Sequence, residues 1–207
     1  MYARSTTVQA QPDSIDAGVA YFRDEVMPAL QGIEGFVGCS MIVDRESGLC
    51  IVTANYSSPE TRAASGATVM PLRDRAAAVL NASSVEVDEW EIAVLHRDHH
   101  APEGACVRAT WTRIDPAAAE RGIGLWKMGA LPATEQVEGF CSGSLMVNRE
   151  TGVSVSTMTY DSRAALEASR SQADTIRAGV VKELGAEVLD VREFELALAH
   201  LHEPEMA

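Results

Sequence analysis

The chain has 207 residues, 46% of them hydrophobic, which is enough to build a sizeable core and argues against disorder. A formal net charge of -13 repels phosphate backbones and argues against nucleic acid as a partner, and no basic cluster is present that would seek an anionic membrane. No apolar run approaches the roughly 20 residues of a membrane helix. The opening Met1-Tyr2-Ala3-Arg4-Ser5-Thr6 lacks the apolar core of a secretory signal, so a cytoplasmic protein is expected.

Taken in chain order, Tyr2 to Gln9 reads as a strand rich in Thr and Val. Ser14 is placed to cap a helix from Ile15 to about Gln31, whose Val19, Phe22, Val26 and Leu30 recur at helical spacing. Pro28 falls inside that pattern and is expected to kink or shorten it. Two apolar runs, from Phe36 to Asp44 and from Leu49 to Tyr56, flank Arg45-Glu46-Ser47-Gly48 and predict a hairpin. Ser58-Pro59-Glu60 opens a second helix that reaches about Leu80: Ser58 caps, Pro59 takes the first position and Glu60 favours the helix dipole. Val85 to His96 is the last strand of the set.

The same succession then recurs without a gap. Arg4 falls on Arg108, Thr6 on Thr110, Pro12 on Pro116, Gly18 on Gly122 and Pro28 on Pro132. Glu34-Gly35-Phe36 falls on Glu138-Gly139-Phe140, and Arg45-Glu46-Ser47-Gly48 on Arg149-Glu150-Thr151-Gly152. Tyr56 meets Tyr160, Arg73 meets Arg177, and His96 meets His200. Roughly a quarter of the aligned positions are identical, the mark of an internal repeat. The expected organisation is therefore two α+β repeats, residues 1–100 and 105–207, joined by the polar Asp98-His99-His100-Ala101-Pro102-Glu103-Gly104. Each has the βαββαβ order of a ferredoxin-like unit. Such a unit leaves one apolar sheet face bare, so the two are expected to pack sheet to sheet, each standing in for a partner chain. This predicts a monomer holding a pseudo-dimer within one chain and leaves a higher oligomer open.

The pattern Leu30…Gly35-Phe36, a hairpin, then a strand ending in an aromatic before Ser58-Pro59-Glu60 resembles the dimeric α+β barrel proteins of the antibiotic-biosynthesis-monooxygenase type, and both repeats carry it. The resemblance implies a ligand cavity in each repeat, between sheet and helices, and a cofactor-independent oxygenase of small phenolic or polyketide-like compounds. The alternatives it implies are a non-catalytic binding or stress-related protein and an isomerase or lyase. The family's cofactor-free oxygenases place a Trp at the end of the third strand, where this chain has Tyr56 and Tyr160. Four residues earlier they place an Asn, where this chain has Val52 and Ser156. The haem-degrading relatives use a His on the second helix; here the stretches 59–80 and 163–184 contain none, and Met70 reads as core. No cofactor and no metal are expected.

Other constellations are sparse. The four cysteines, Cys39, Cys50, Cys106 and Cys141, lack C-x-x-C spacing and read as buried reduced thiols. The histidines are His96, His99, His100, His200 and His202, with no helical i, i+4 pair. His99 and His100 fall in the linker and read as solvated. His96 and His200 end the last strand of each repeat, where a general base at a cavity mouth would stand. Arg4 and Arg108 on the first strands are expected to pair with Glu91 and Glu195 on the last, structurally or as a fork for an anionic ligand. No Walker loop, G-x-G-x-x-G or G-x-S-x-G elbow occurs. On one face of the third strand the first repeat carries Cys50, Val52, Ala54 and Tyr56, and the second carries Ser154, Ser156, Met158 and Tyr160. Trp126 and Trp111 add indoles to the second repeat. Its expected site therefore comprises Tyr160, Ser156, His200 and Arg108 as catalytic groups, with Trp126, Trp111 and Met158 as ligand contacts. Tyr56 marks the matching place in the first repeat.

Overall fold

The computed structural model describes residues 1–201. Its strands are β1 (Tyr2–Gln9), β2 (Phe36–Val43), β3 (Leu49–Tyr56), β4 (Ser84–Arg97), β5 (Cys106–Arg113), β6 (Phe140–Val147), β7 (Val153–Tyr160) and β8 (Glu187–Leu201). Between them run helices α1 (Ile15–Tyr21), α2 (Met27–Gln31), α3 (Pro59–Ala64), α4 (Gly66–Val79), α5 (Ala119–Leu125), α6 (Leu131–Glu135), α7 (Arg163–Ala168) and α8 (Arg170–Leu184). None of these helices is long and apolar enough to cross a membrane.

The chain forms two compact units, and their border falls inside strands rather than in the linker. The first unit contains Met1–Trp90 and the end of β8 from Glu195; the second runs over Glu91–Phe194. In the first, β3 pairs antiparallel with β1 and β2, and β2 pairs with the end of β8, Val43 opposite Glu195. In the second, β7 lies between β5 and β6, and β6 pairs with the end of β4, Val147 opposite Glu91. Each unit thus takes its last strand segment from the other half of the sequence. The expectation that His96 serves the first half and His200 the second reverses for this reason.

Local chemistry accounts for the elements. Each hairpin turn closes through a short polar side chain: Asp44 Oδ1 accepts from the backbone of Glu46 and Ser47, and Asn148 Oδ1 from Glu150 and Thr151. The turns end at Gly48 and Gly152, with φ of 80° and 71°. The long first helix is interrupted as Pro28 and Pro132 predict. A π-helical turn, Phe22–Val26 or Trp126–Ala130, precedes each proline. The wider turn accommodates a ring that has no N–H to donate and would collide with the carbonyl one turn back.

Two expectations need correction. Ser14 makes no side-chain cap; it lies in a 3-10 turn, Pro12–Ser14, and its hydroxyl accepts from Asn81 Nδ2 at 2.8 Å. The second helix, expected to be continuous, breaks at Ser65 and at Ser169 into α3–α4 and α7–α8. Its start is as read: Ser58 Oγ accepts from Thr61 N at 3.2 Å and Thr61 returns the bond, forming a capping box.

A Cβ at position 152 would run into the Ile114 carbonyl while forcing a side chain into the left-handed region. Gly152→Ala is expected to destabilise the protein by more than about 1 kcal/mol in urea denaturation.

Candidate functional site

Each unit encloses a cavity between its sheet and helices, and the two differ in size and lining. The second unit's cavity is about 120 Å³, the first unit's about 60 Å³. Because strand side chains alternate, β5 presents Arg108, Thr110 and Thr112 to the second cavity, and β7 presents Ser154, Ser156, Met158 and Tyr160. Trp126, from the π turn, crosses over the sheet and donates its indole N–H to Ser156 Oγ at 2.8 Å. Thr112 and Ser154 share a hydrogen bond of 2.8 Å between their hydroxyls. A row of hydroxyls therefore runs along one wall, and apolar groups such as Ile123, Leu145 and Val180 make the others.

The difference in volume comes largely from the helices. Ala130, Thr134 and Ala173 stand where the first half has Val26, Leu30 and Val69. Smaller side chains leave the space that the larger ones fill. The signal was present in the sequence, but it is spread over two helices and becomes legible only once their inward faces are known.

Arg177, on α8, reaches the same cavity. One guanidinium nitrogen donates to Asp174 Oδ1 at 2.8 Å. Its Nε is buried with no acceptor among the described residues. Among the described lining residues there is no His, Cys, Asp or Glu, so the cavity is apolar with hydroxyl and cationic groups.

Arg108 is 4% exposed and both of its terminal nitrogens are engaged. Nη1 donates to Ser169 Oγ at 2.7 Å, and Nη2 to the Leu166 carbonyl at 2.8 Å and Glu193 Oε1 at 3.0 Å. Its charge lies 5.8 Å from the centre of the Tyr160 ring. Arg4 repeats the pattern with Ser65, Arg62 and Glu89. The acidic partners are thus Glu193 and Glu89, not the expected Glu195 and Glu91. Those two instead bind the hairpin arginines, Glu195 to Arg45 at 2.8 Å and Glu91 to Arg149 at 2.7 Å. The expectation was off by one step of the strand's two-residue period, which preserves the face but changes the neighbour. Arg170 and Arg163 also converge on Glu193, at 2.6 and 3.4 Å. Hydrogen bonding from Arg170 and Arg108 holds the Glu193 carboxyl below its usual range despite partial burial.

The remaining expected residues lie elsewhere. Trp111 projects from the opposite face of β5, since Arg108, Thr110 and Thr112 occupy the cavity face. His200 belongs to the first unit, with Nε2 at 2.9 Å from Gln31 Nε2, and it is not among the lining residues of either cavity. His96 belongs to the second unit, 2.8 Å from Glu135 and stacked on Phe140. Tyr56 lines the smaller cavity, its buried hydroxyl without a hydrogen-bond partner among the described residues. His202 lies outside the described residues. All four cysteines are buried free thiols.

His99 is more engaged than a solvated linker residue. Its Nδ1 is 2.7 Å from Asp98 and its Nε2 2.8 Å from Asp161, and Cys141 donates its S–H to that same Asp161 oxygen at 3.1 Å.

No known protein-family profile matches this sequence. Solved structures with the same fold include a candidate monooxygenase of Lactobacillus acidophilus, 11% identical, with a TM-score of 0.71 over 97% of this chain and 96% of that one. They also include an anthrone oxidase-like protein, 15% identical, with a TM-score of 0.66 over 100% and 95%. A haem-degrading enzyme of Listeria monocytogenes is 7% identical, with a TM-score of 0.56 over 95% and 99%. The fold is thus the mixed α+β fold of monooxygenase-like proteins. Two uncharacterised proteins of Mycobacterium tuberculosis are 50% and 52% identical over 206 and 207 residues, spanning 100% of this chain and 92% and 87% of their own lengths. The chain belongs to the family of these mycobacterial proteins.

Glu193→Gln leaves Arg108, with a side chain 5% exposed, short of its counter-charge. It is expected to cost about 3 kcal/mol at neutral pH. Glu89, 47% exposed, is expected to contribute no more than about 1 kcal/mol in the parallel Glu89→Gln variant. Because the folded-state pKa of Glu193 is lowered, its contribution is present above the ordinary value of 4.5 and is lost as pH falls through the folded value. Urea denaturation across the acid range should therefore give a shallower pH dependence for Glu193→Gln than for the parent.

Proposed function

We propose that the second unit binds a small phenolic or polyketide-like compound in its ionised form and oxygenates it without a bound cofactor. The observation that carries this reading is the cavity of about 120 Å³ with hydroxyls along one wall and the unpartnered Arg177 Nε buried at its side. Apolar walls with a few convergent polar groups suit an aromatic ring that bears oxygen. A dry cavity of roughly 150 Å³ accepts benzene, so the size favours a monocyclic phenol over a fused tricyclic one. Arg177 would hold the phenolate oxygen, and the free proton of Ser156, whose oxygen already accepts from Trp126, would donate to a second oxygen.

Since no carboxylate, thiol or imidazole lines the described cavity, the substrate must be acidic enough to arrive ionised. Oxygen then adds to the carbanion form of the ring. One oxygen atom remains as a carbonyl in place of two hydrogens, and the other leaves as water. The same absence of a base favours the second reading, a binding protein that holds the phenolate without turnover.

The two halves are read as a tandem duplication of ferredoxin-like units, the second having kept the roomier site. The solved structures described as a monooxygenase candidate and an anthrone oxidase-like protein support the oxygenase reading through a shared fold.

Titration with a panel of hydroquinones and related phenols, followed by Trp fluorescence and by oxygen uptake, tests both readings. Binding should quench Trp126, and the quench should be lost in Trp126→Phe. Ser156→Val, which imitates the first half, and Arg177→Met should each weaken binding about tenfold or more, as removal of a hydrogen bond to a charged group does. Unchanged affinity in both variants would defeat the site. Binding without oxygen uptake by any bound phenol would leave the second reading.

A further inference from the structure

The convergence of His99, Cys141 and Asp161 lies apart from the cavity. Cys141 is the second residue of β6, Asp161 follows directly on β7, and His99 lies just past the end of β4. The three ligand atoms lie within 4.8 Å of one another. Backbone bonds hold the three segments together: Asp98 N and His99 N donate to the Cys141 carbonyl at 2.8 and 3.3 Å, and Asp161 N donates to the Gly139 carbonyl at 2.8 Å. The donors are therefore brought together by the sheet and not by a chance meeting of long side chains.

We propose that His99 Nε2, Cys141 Sγ and Asp161 Oδ1 form a binding site for a zinc-like divalent cation. Asp161 Oδ1 now accepts from both other groups, so the two protons in those bonds occupy the space a metal would take. For a tetrahedral ion bound at about 2.0 Å to N and O and 2.3 Å to S, the observed edges of 2.8 and 3.1 Å widen by roughly half an ångström each. Rotation of partly exposed side chains supplies that much, since His99 is 41% and Asp161 38% exposed.

A second feature points the same way. His99 Nδ1 is 2.7 Å from Asp98 Oδ2, so the nitrogen turned away from the cluster is held by a carboxylate. Once a cation displaces the Nε2 proton, that bond keeps the remaining proton on Nδ1 and turns the Nε2 lone pair to the metal, as in carboxylate–histidine–metal triads. One imidazole, one thiolate and one carboxylate suit zinc by ligand softness. Three protein ligands leave a fourth position for water or an exogenous ligand.

The proton balance closes. Without metal, the thiol and the Nε2 protons both lie in the bonds to Asp161 Oδ1. The cation replaces the thiol proton and, where the imidazole is charged, the Nε2 proton, so binding releases protons and tightens as pH rises. The site is particular to the second half: Val37 and Ser57 stand where it has Cys141 and Asp161.

The test uses the full-length chain, reduced and stripped of metal by chelation, titrated with Co²⁺ and then Zn²⁺. The expected result is one Co²⁺ per chain, with a thiolate-to-cobalt charge-transfer band that Zn²⁺ abolishes. Cys141→Ser should lose the band, and His99→Gln and Asp161→Asn should weaken binding at least tenfold. Asp98→Asn, which touches no metal, should weaken it about tenfold through the imidazole. Should Cys141→Ser fail to fold, His99→Gln on the exposed side carries the test. No band in the parent chain, or a band undiminished in Cys141→Ser or His99→Gln, would overturn the assignment.

Discussion

A guanidinium removed almost wholly from water needs a counter-charge and acceptors: Glu193 supplies the charge to Arg108, and the stop of α7 at Ser169 supplies the acceptors for its terminal nitrogens. The break frees the Leu166 carbonyl, which a continuous helix would have used internally, and turns the Ser169 hydroxyl toward the sheet. Strand β5, the helix joint and Glu193 are thereby tied at one point. From that joint α8 sets out across the sheet, and its angle leaves Arg177, Val180 and Leu184 over the cavity. The same tie at Arg4 and Ser65 organises the first unit, where larger helix side chains close the space.

The asymmetry between the halves is thus a matter of lining and not of architecture. The strand and helix order, the broken helices, the π turns before proline and the arginine ties recur in both. What changes is Phe22 against Trp126, Val52 against Ser156 and Leu30 against Thr134, each a step toward more room or more polarity in the second half. Energetically the exchange is mild, because Trp126 and Ser156 satisfy each other when the cavity is empty.

Much of this could be read from sequence, and the reasons for the rest are specific. Alternation along β7 identified the face carrying Ser154, Ser156, Met158 and Tyr160, since a two-residue period leaves only two choices. It could not identify the partner of Arg108, because Glu193 and Glu195 share a face and only the register separates them. Trp111 shares β5 with the cavity residues, but the same period turns it to the other face. His200 was assigned to the wrong unit because β8 continues past the border of its own half. The cluster of His99, Cys141 and Asp161 draws on three distant segments, and no spacing motif links them.

The exchange of strand ends between halves has a consequence for inheritance. A gene that encodes two independent copies can lose either one, shuffle it, or let it decay. Here each half donates the closing segment of the other's sheet, β4 beyond Glu91 and β8 beyond Glu195. Deleting one half would strip an edge from the survivor and expose a row of unpaired backbone groups. The halves are therefore bound to travel together, free to differ in side chains but not in the pairing of their strands.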